Sequence, residues 1–318
     1  MAVEEVLLRG AGEEPLFLLW QNSPAVILGR NQNAFEEVDL QFAEKNQIQI
    51  MRRLTGGGAV YHDLGNLNYT FILPQLSHAS KESPLFDFRL WTNPVLRTLQ
   101  KLGVQAEFTG RNDLTVLGKK FSGNAQARIG KHLLHHGTLL FHTDFQMMVK
   151  VLHVDPDKFH SKGVASTRSR VTNLTDYLPD GFGIGDFKKA LINEISCSYQ
   201  LTQSSFSERQ IEEINSLKTS KYSTRNWNIG KSPKSNMKTE HRFPWGKVCI
   251  DLFLEKGIVS DAKISGDFFA TMPPELLAEK LIGLEYNFSV FSEQFTEDEI
   301  QSFFPQISKD DFIKLLFK

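Results

Sequence analysis

Cysteine is nearly absent from this chain: its 318 residues include two, Cys197 and Cys249, far apart and in no Cys-x-x-Cys pair. That excludes a disulfide framework or a zinc knuckle and suits a reducing compartment. Charge of one sign is lacking too. With 36 basic and 37 acidic residues the formal net charge is −1, which argues against bulk nucleic-acid binding. No apolar run approaches the ~18 residues of a membrane span, and no leader or transit pattern opens Met1-Ala2-Val3-Glu4-Glu5. The expectation is a cytoplasmic protein with neither nucleic acid nor membrane as a partner. A Gly-x-Ser-x-Gly elbow is missing, and so is Gly-x-Gly-x-x-Gly. Both cysteines read as small buried hydrophobes, so no protein nucleophile is in view.

What is present is core. Hydrophobic residues make up 41% and 25 residues are Phe, enough for a large domain plus a small one. The pattern predicts strands at Pro15 to Trp20, Ala25 to Arg30 and Ile48 to Leu54, with a short helix around Val38 to Lys45. Leu67, Tyr69, Phe71 and Leu73 alternate with Asn66, Asn68 and Thr70, a strand with one polar face. A helix over Phe88 to Leu102 precedes a three-strand meander from Asn112 to Phe141, turning at Leu117-Gly118-Lys119 and Gly130-Lys131. Helices follow near 186–199 and 207–218, the second with a capping box from Ser207 and Gln210. Residues 221–240 read as a polar linker. Beyond it a hairpin about Lys256-Gly257 and helices near 273–283, 296–304 and 308–317 form a second unit. The expected domains are 1–232 and 233–318.

Chemistry concentrates in two stretches. In Arg52-Arg53-Leu54-Thr55-Gly56-Gly57-Gly58-Ala59-Val60-Tyr61-His62-Asp63, three glycines let backbone N–H groups approach a ligand, and the arginines offer forked donors for anionic oxygens. A flexible hairpin loop is the plainer alternative. No Gly-Lys-Ser/Thr follows, so it is not a Walker loop. The second stretch is Gly110-Arg111-Asn112-Asp113, then Lys119-Lys120-Phe121-Ser122-Gly123-Asn124-Ala125. A lysine among small residues has room for a ligand and can stabilise shifting charge, or it is an exposed turn lysine; residue type alone does not separate Lys119 from Lys120. Among His132, His135 and His136, the last two face opposite sides of a strand, which rules out a shared zinc site; His136-Gly137-Thr138 reads as a cleft-lining strand. The basic loop Lys162 to Arg170 is either a lid or a solvated connection. Such an inventory suits activation of a carboxylate by ATP, with an outside nucleophile completing the reaction.

At these segments the chain resembles the lipoate–protein ligases. Arg-Arg-x-Thr-Gly-Gly-Gly-Ala-Val-Tyr-His-Asp, Gly-Arg-Asn-Asp-Leu, Lys-x-Ser-Gly-Asn-Ala, His-His-Gly-Thr-Leu-Leu and Ser-Arg-Val-Thr-Asn stand in that family's order, and the resemblance runs from residue 3 to the end. It implies an α+β fold: a class II synthetase-like biotin/lipoate-ligase catalytic domain with a mixed sheet and helices, plus a small α+β C-terminal domain. It implies ATP and Mg2+ as cofactors, lipoate as substrate, and two steps through lipoyl-AMP. The implied partners are lipoyl-domain acceptors, E2 subunits of 2-oxoacid dehydrogenases or the glycine-cleavage H protein. By position, Lys120 is the implied catalytic lysine. Arg53, Thr55, Gly56, Gly57, Gly58, Ala59, Val60, Tyr61 and Asn66 are implied at the adenylate wall. Asn112 is implied on the phosphate side and Asp113 at magnesium. Gly123, Asn124, Ala125, His136, Gly137 and Thr138 are implied to line the cleft.

Two departures stand out. Some members carry an arginine seven positions after the lysine, where this chain has Ala127 followed by Arg128. The family's leading strand before the Ala-x-Glu-Glu helix is also expected to be missing, since Met1 already stands at that helix. Rival readings are an ATP-independent lipoyl or octanoyl transferase, for which the cysteine is lacking, and a mitochondrial-type lipoyltransferase that starts from preformed adenylate, which the sequence leaves open. Two more are a biotin ligase, disfavoured by the Arg-Arg-x-Thr-Gly-Gly-Gly loop, and a non-catalytic lipoate-binding module, which the intact Lys120 and glycine loop disfavour.

Overall fold

The computed structural model describes residues 1–74, 87–110, 112–152, 170–229, 237–255 and 257–317. A helix, α1 (Ala2–Arg9), opens the chain. Strands β1 (Leu16–Trp20), β5 (Asn66–Leu73), β9 (His132–Leu140), β8 (Lys119–Ile129), β7 (Asp113–Val116) and β6 (Ala106–Thr109) form one sheet in that spatial order. Every pairing in it is antiparallel. The mixed sheet is instead a small one, in which β2 (Ala25–Leu28) pairs parallel with β3 (Gln49–Arg52) and antiparallel with β4 (Val60–His62).

The large sheet is buried on both faces, because the alternation of β5 serves two different environments. Leu67, Tyr69, Phe71 and Leu73 pack in a core with Val95 and Leu99 of the helix Phe88–Lys101 and with Phe187, Leu191 and Ile195 around the helix Ile184–Ser196. Asn66, Asn68 and Thr70 stand on the other face and are just as buried. That face lies under α1, whose Leu7 and Leu8 meet Ile72 and Leu134. A polar strand face sealed from water has to find partners within the protein or hold a ligand.

Residues 221–240 are not a free linker where they are described. Lys221 Nζ (2.7 Å) and the Tyr222 hydroxyl (2.6 Å) both donate to the buried Glu5 carboxylate, and Trp227 and Asn228 pack on Arg52. Met237–Phe243 is a strand, β10. It joins β11 (Gly246–Glu255) and β12 (Ile258–Gly266) in a three-stranded antiparallel sheet. Helices Pro274–Leu281, Phe288–Gln294, Glu297–Phe303 and Lys309–Leu316 close a separate core over it, rich in Phe. The helix at 288–294 escaped the sequence reading, and Ser308 caps the last helix by accepting from Asp311 N–H at 3.1 Å. Lys162 to Ser169, Arg111 and Lys256 lie outside the described residues.

Candidate active site

The glycine loop leaves β3 at Arg52 and enters β4 at Val60. Both arginines were expected to present their donors to an anion, and the structure corrects this. Arg52 Nη1 donates to the carbonyls of Gly29 (2.8 Å), Arg30 (3.1 Å) and Gln32 (2.6 Å), and Nη2 to that of Asn228 (3.0 Å). Arg53 donates through Nη1 to Ile27 O (3.0 Å) and through Nη2 to Gly56 O (2.7 Å) and Gly58 O (2.8 Å). The cause is burial: a guanidinium in a dry interior turns its donors to the acceptors around it. Burial lowers both groups to about 10, which leaves them charged at neutral pH. Arg53 still lines the cavity, as the strut that gives the loop its shape. Gly57 sits at φ +89°, in the left-handed region that a side chain resists.

From Arg53 a chain of hydrogen bonds crosses beneath the loop. Arg53 Nε donates to Thr55 Oγ1 (2.9 Å), which pairs with His136 Nε2 (2.8 Å). His136 Nδ1 meets Glu4 Oε1 at 2.9 Å, and the same oxygen accepts from Thr70 Oγ1 at 2.8 Å. Thr70 in turn accepts from Trp20 Nε1 at 2.9 Å. Burial alone would raise Glu4, but His136, Thr70 and the terminal amine outweigh it and hold the carboxyl at about 2. Thr55 and His136 are therefore brought together in one network, with Glu4 as their unforeseen anchor.

Above this network a cavity of about 110 Å³ runs across the strands. Trp20 pairs with Asn68, and Asn68 with Thr138. Beside Thr138 stands Gly123, whose N–H donates to Thr138 Oγ1 at 3.2 Å. Three strand-to-strand steps of ~4.8 Å make this row roughly 14 Å long. Lys120 closes one end. Its Nζ lies over Gly123, where a methyl group would be 3.0 Å away, and forms an ion pair with Asp113 Oδ1 at 2.8 Å. A β-bulge puts it there: Thr115 faces Lys120 but Leu114 faces Ser122, so Phe121 is the extra residue. Phe121 turns into the core and Lys120 onto the cavity face, a reversal of strand parity.

His62 closes the other end, with its ring 5.8 Å from that of Trp20. Burial, then the charge of Arg53, pushes His62 down to about 3, so the imidazole is neutral. Its Nδ1 accepts from Asn22 Nδ2 at 3.0 Å, which leaves the proton on Nε2. That buried Nε2 has no hydrogen-bond partner among the described residues.

Of the residues singled out in the sequence, Arg53, Gly57, Gly58, Ala59, Val60, Asn112, Lys120, Gly123, Asn124, Ala125, His136, Gly137 and Thr138 line this cavity. Asn124 and Gly137 do so by backbone, because their row continues to Tyr69 on the opposite face. There the Tyr69 hydroxyl donates to Asn124 Oδ1, and a methyl on Gly137 would lie 2.2 Å from that oxygen. Thr55, Gly56, Tyr61, Asn66 and Asp113 stand behind the lining. Tyr61 packs in the core of the small sheet, Gly56 lies against Phe268 and Phe269, and Asn66 Nδ2 holds Asn68 Oδ1 at 2.9 Å. Met1, Trp20, Ile27, His62 and Asn68 line the cavity without having been singled out. The polar alternation of β5 was the available signal for Asn68. Arg128 faces outward and donates to Gly130 O at 3.0 Å.

Cys197 is exposed, against expectation, because it ends its helix; Cys249 is buried in the C-terminal unit. Neither lines the cavity. Among the described residues no helix is long and apolar enough to cross a membrane, and no cluster of three or more His, Cys, Asp or Glu could hold a metal.

The family described as "Lipoyl protein ligase A/B catalytic domain" matches residues 1–196, and "Bacterial lipoate protein ligase C-terminus" matches 232–316. This chain belongs to the lipoate–protein ligases. It is 37% identical over 326 residues to lipoate-protein ligase LplJ of Bacillus subtilis (strain 168), covering 100% of this chain and 96% of that one. Lipoate–protein ligase 1 of Staphylococcus aureus (strain Mu50) is 36% identical, with 99% and 95% covered. A solved lipoate-protein ligase A bound with ATP superposes with a TM-score of 0.62 at 33% identity, over 72% of this ligase and 92% of that chain.

Proposed function

We propose that this protein activates lipoate with ATP to form lipoyl-AMP and then transfers the lipoyl group to a lysine of a lipoyl-domain acceptor protein. The observation that carries this is the row from Lys120 to Trp20 and His62, with an ammonium at one end and apolar and neutral groups at the other. An eight-carbon acyl chain, about 9–10 Å long at ordinary bond lengths, fits within this row of roughly 14 Å with its carboxylate at Lys120. A T. acidophilum relative solved with bound lipoic acid and a lipoate-protein ligase A solved bound with ATP support the same two ligands here.

In the first step a carboxylate oxygen attacks the α-phosphorus of ATP, and the P–O bond to pyrophosphate breaks. Lys120 leaves Asp113 for the oxygens shared by acyl and phosphoryl groups, where its charge counts most as charge moves between them. The Gly57 to Val60 backbone and Asn112 hold the nucleotide side. Arg53, Thr55, His136 and Glu4 keep the loop in shape from below. In the second step the acceptor's neutral amine attacks the acyl carbon, AMP leaves, and the nitrogen gives up its proton.

Asp113 is the residue that would hold Mg2+. One carboxylate fits an ion that keeps waters and binds mainly through substrate phosphates. When bound, the ion neutralises phosphate charge. The acceptors are E2 subunits or an H protein, in a reducing cytoplasm suited to the exposed free thiol of Cys197. The chain divides into a catalytic domain, 1–232, and an accessory domain, 233–318.

An ATP-independent transferase would need a thiol that reaches the acyl carbon, and neither cysteine is in the cavity. Incubation with lipoate, ATP, Mg2+ and an apo lipoyl domain tests the proposal by intact mass. The expected result is one lipoyl adduct per target lysine, dependent on ATP. An adduct formed from lipoyl-protein without ATP would overturn it.

A further inference from the structure

The hairpin joining β7 to β8 turns on two residues, Leu117 at φ +50° and Gly118 at φ +73°, with Val116 opposite Lys119. Glycine adopts this conformation freely, and such turns favour Asn or Gly at their first central position. Leucine does not, because its Cβ crowds the carbonyl oxygen. The side chain is also 82% exposed and belongs to none of the hydrophobic clusters of the described residues. Leu117 therefore costs the fold in backbone strain and in exposed apolar surface. Strain of this kind concentrates where a protein works. The tip is three residues from Lys120, about 10 Å of chain at most, at the end of the cavity that takes the reacting carbonyl. Lys119 is exposed beside it.

We propose that the Leu117-Gly118-Lys119 tip is a docking element for the acceptor protein, seated on the surface around its target lysine. The inference rests on the ligase reading. The acceptor amine must reach the acyl carbon beside Lys120 Nζ, and an extended lysine side chain is only roughly 6 Å long at ordinary bond lengths. The acceptor's surface thus comes down next to Lys120, where this hairpin stands. Its chemistry follows from the tip: an apolar patch for Leu117 and a carboxylate for the Lys119 ammonium, both flanking the target lysine. Leu117 acts on acceptor binding and has no part in adenylate formation.

The test uses the full-length protein with Leu117→Asp and Leu117→Gly. The glycine variant relieves the turn while removing the side chain, so a purely structural role would leave it as active as the parent. Transfer is measured against acceptor-domain concentration, and adenylate formation as lipoyl hydroxamate with hydroxylamine in place of the acceptor. The expected result is a KM for the acceptor raised roughly tenfold in both variants, the size typical of losing an apolar interface anchor, with hydroxamate formation within twofold of the parent. An unchanged acceptor KM, or hydroxamate formation falling in parallel with transfer, would overturn the docking role. A parent protein that makes no hydroxamate from lipoate and ATP would remove the ligase reading itself.

Discussion

Glu4 and His136 meet at 2.9 Å although 132 residues separate them, and they join α1 to the strand that lines the cavity. Glu4 also takes the Thr70 hydroxyl, so one buried carboxylate oxygen serves two elements. Glu4→Gln keeps the shape but removes the charge and one acceptor. The expected loss is about 1–3 kcal/mol of stability at pH 7, the usual cost of leaving a buried donor unsatisfied. Because folding lowers the Glu4 pKa from 4.5 to about 2, its contribution is complete above pH 4.5 and is lost as pH falls towards 2. Urea denaturation of both proteins at pH 7 and near pH 3 checks this. The gap between them should narrow at the lower pH.

Two other buried groups set the behaviour between neutrality and mild acid. Burial pushes His62 and His135 down to about 3, so both stay neutral in the folded protein. In the unfolded chain they take up protons near pH 6.5. The unfolded state therefore binds more protons below that pH, and stability falls from about 6.5 towards 3. His135 sits among Tyr69, Phe71 and Phe88 and outside the cavity lining. His135→Gln should flatten the fall in melting temperature between pH 7 and 5, whatever it does to stability at pH 7. An identical slope in parent and variant would count against the assignment.

Much of the site was legible as residue types. The glycine loop, Lys120, Asn112 and the His136-Gly137-Thr138 strand all stand at the cavity. Three features depended on contacts that no local pattern encodes. The bulge at Phe121 arises from pairing with β7, and it decides which lysine faces the cavity. The arginines read as anion donors because a charged side chain is usually solvated, whereas here carbonyls surround them. Residues 221–229 read as a linker because Lys, Asn and Ser are usually exposed. Lys221 and Tyr222 instead close on Glu5, more than 200 positions earlier, and no window of sequence shows that partner.

The cysteines supply a third test. Cys197 is exposed at a helix end and Cys249 is buried beside Glu240. The double variant Cys197→Ser, Cys249→Ser should transfer lipoyl groups at close to the parent rate, with any loss traceable to the buried Cys249 through a lower melting temperature. A thioester trapped on either residue of the parent would point to a covalent transferase.

The C-terminal unit touches the glycine loop directly. Gly57 N–H donates to Phe268 O at 3.3 Å, and Gly266 N–H donates to Asn31 O at 2.8 Å. Residues 1–232 produced alone should keep the large sheet and its far-UV circular dichroism, yet activate lipoate at least about tenfold more slowly, through loss of loop positioning. Full activity in that fragment would assign the small domain another purpose.

The central claim is that Lys120 drives adenylate formation with no acceptor present. Lipoate-dependent exchange of labelled pyrophosphate into ATP measures that step alone. The parent should exchange, Lys120→Ala should fall by about 10²–10³, the usual loss for one electrostatic contact to a transition state, and Lys119→Ala should change little. Equal losses in the two variants, or no exchange in the parent, would contradict the account.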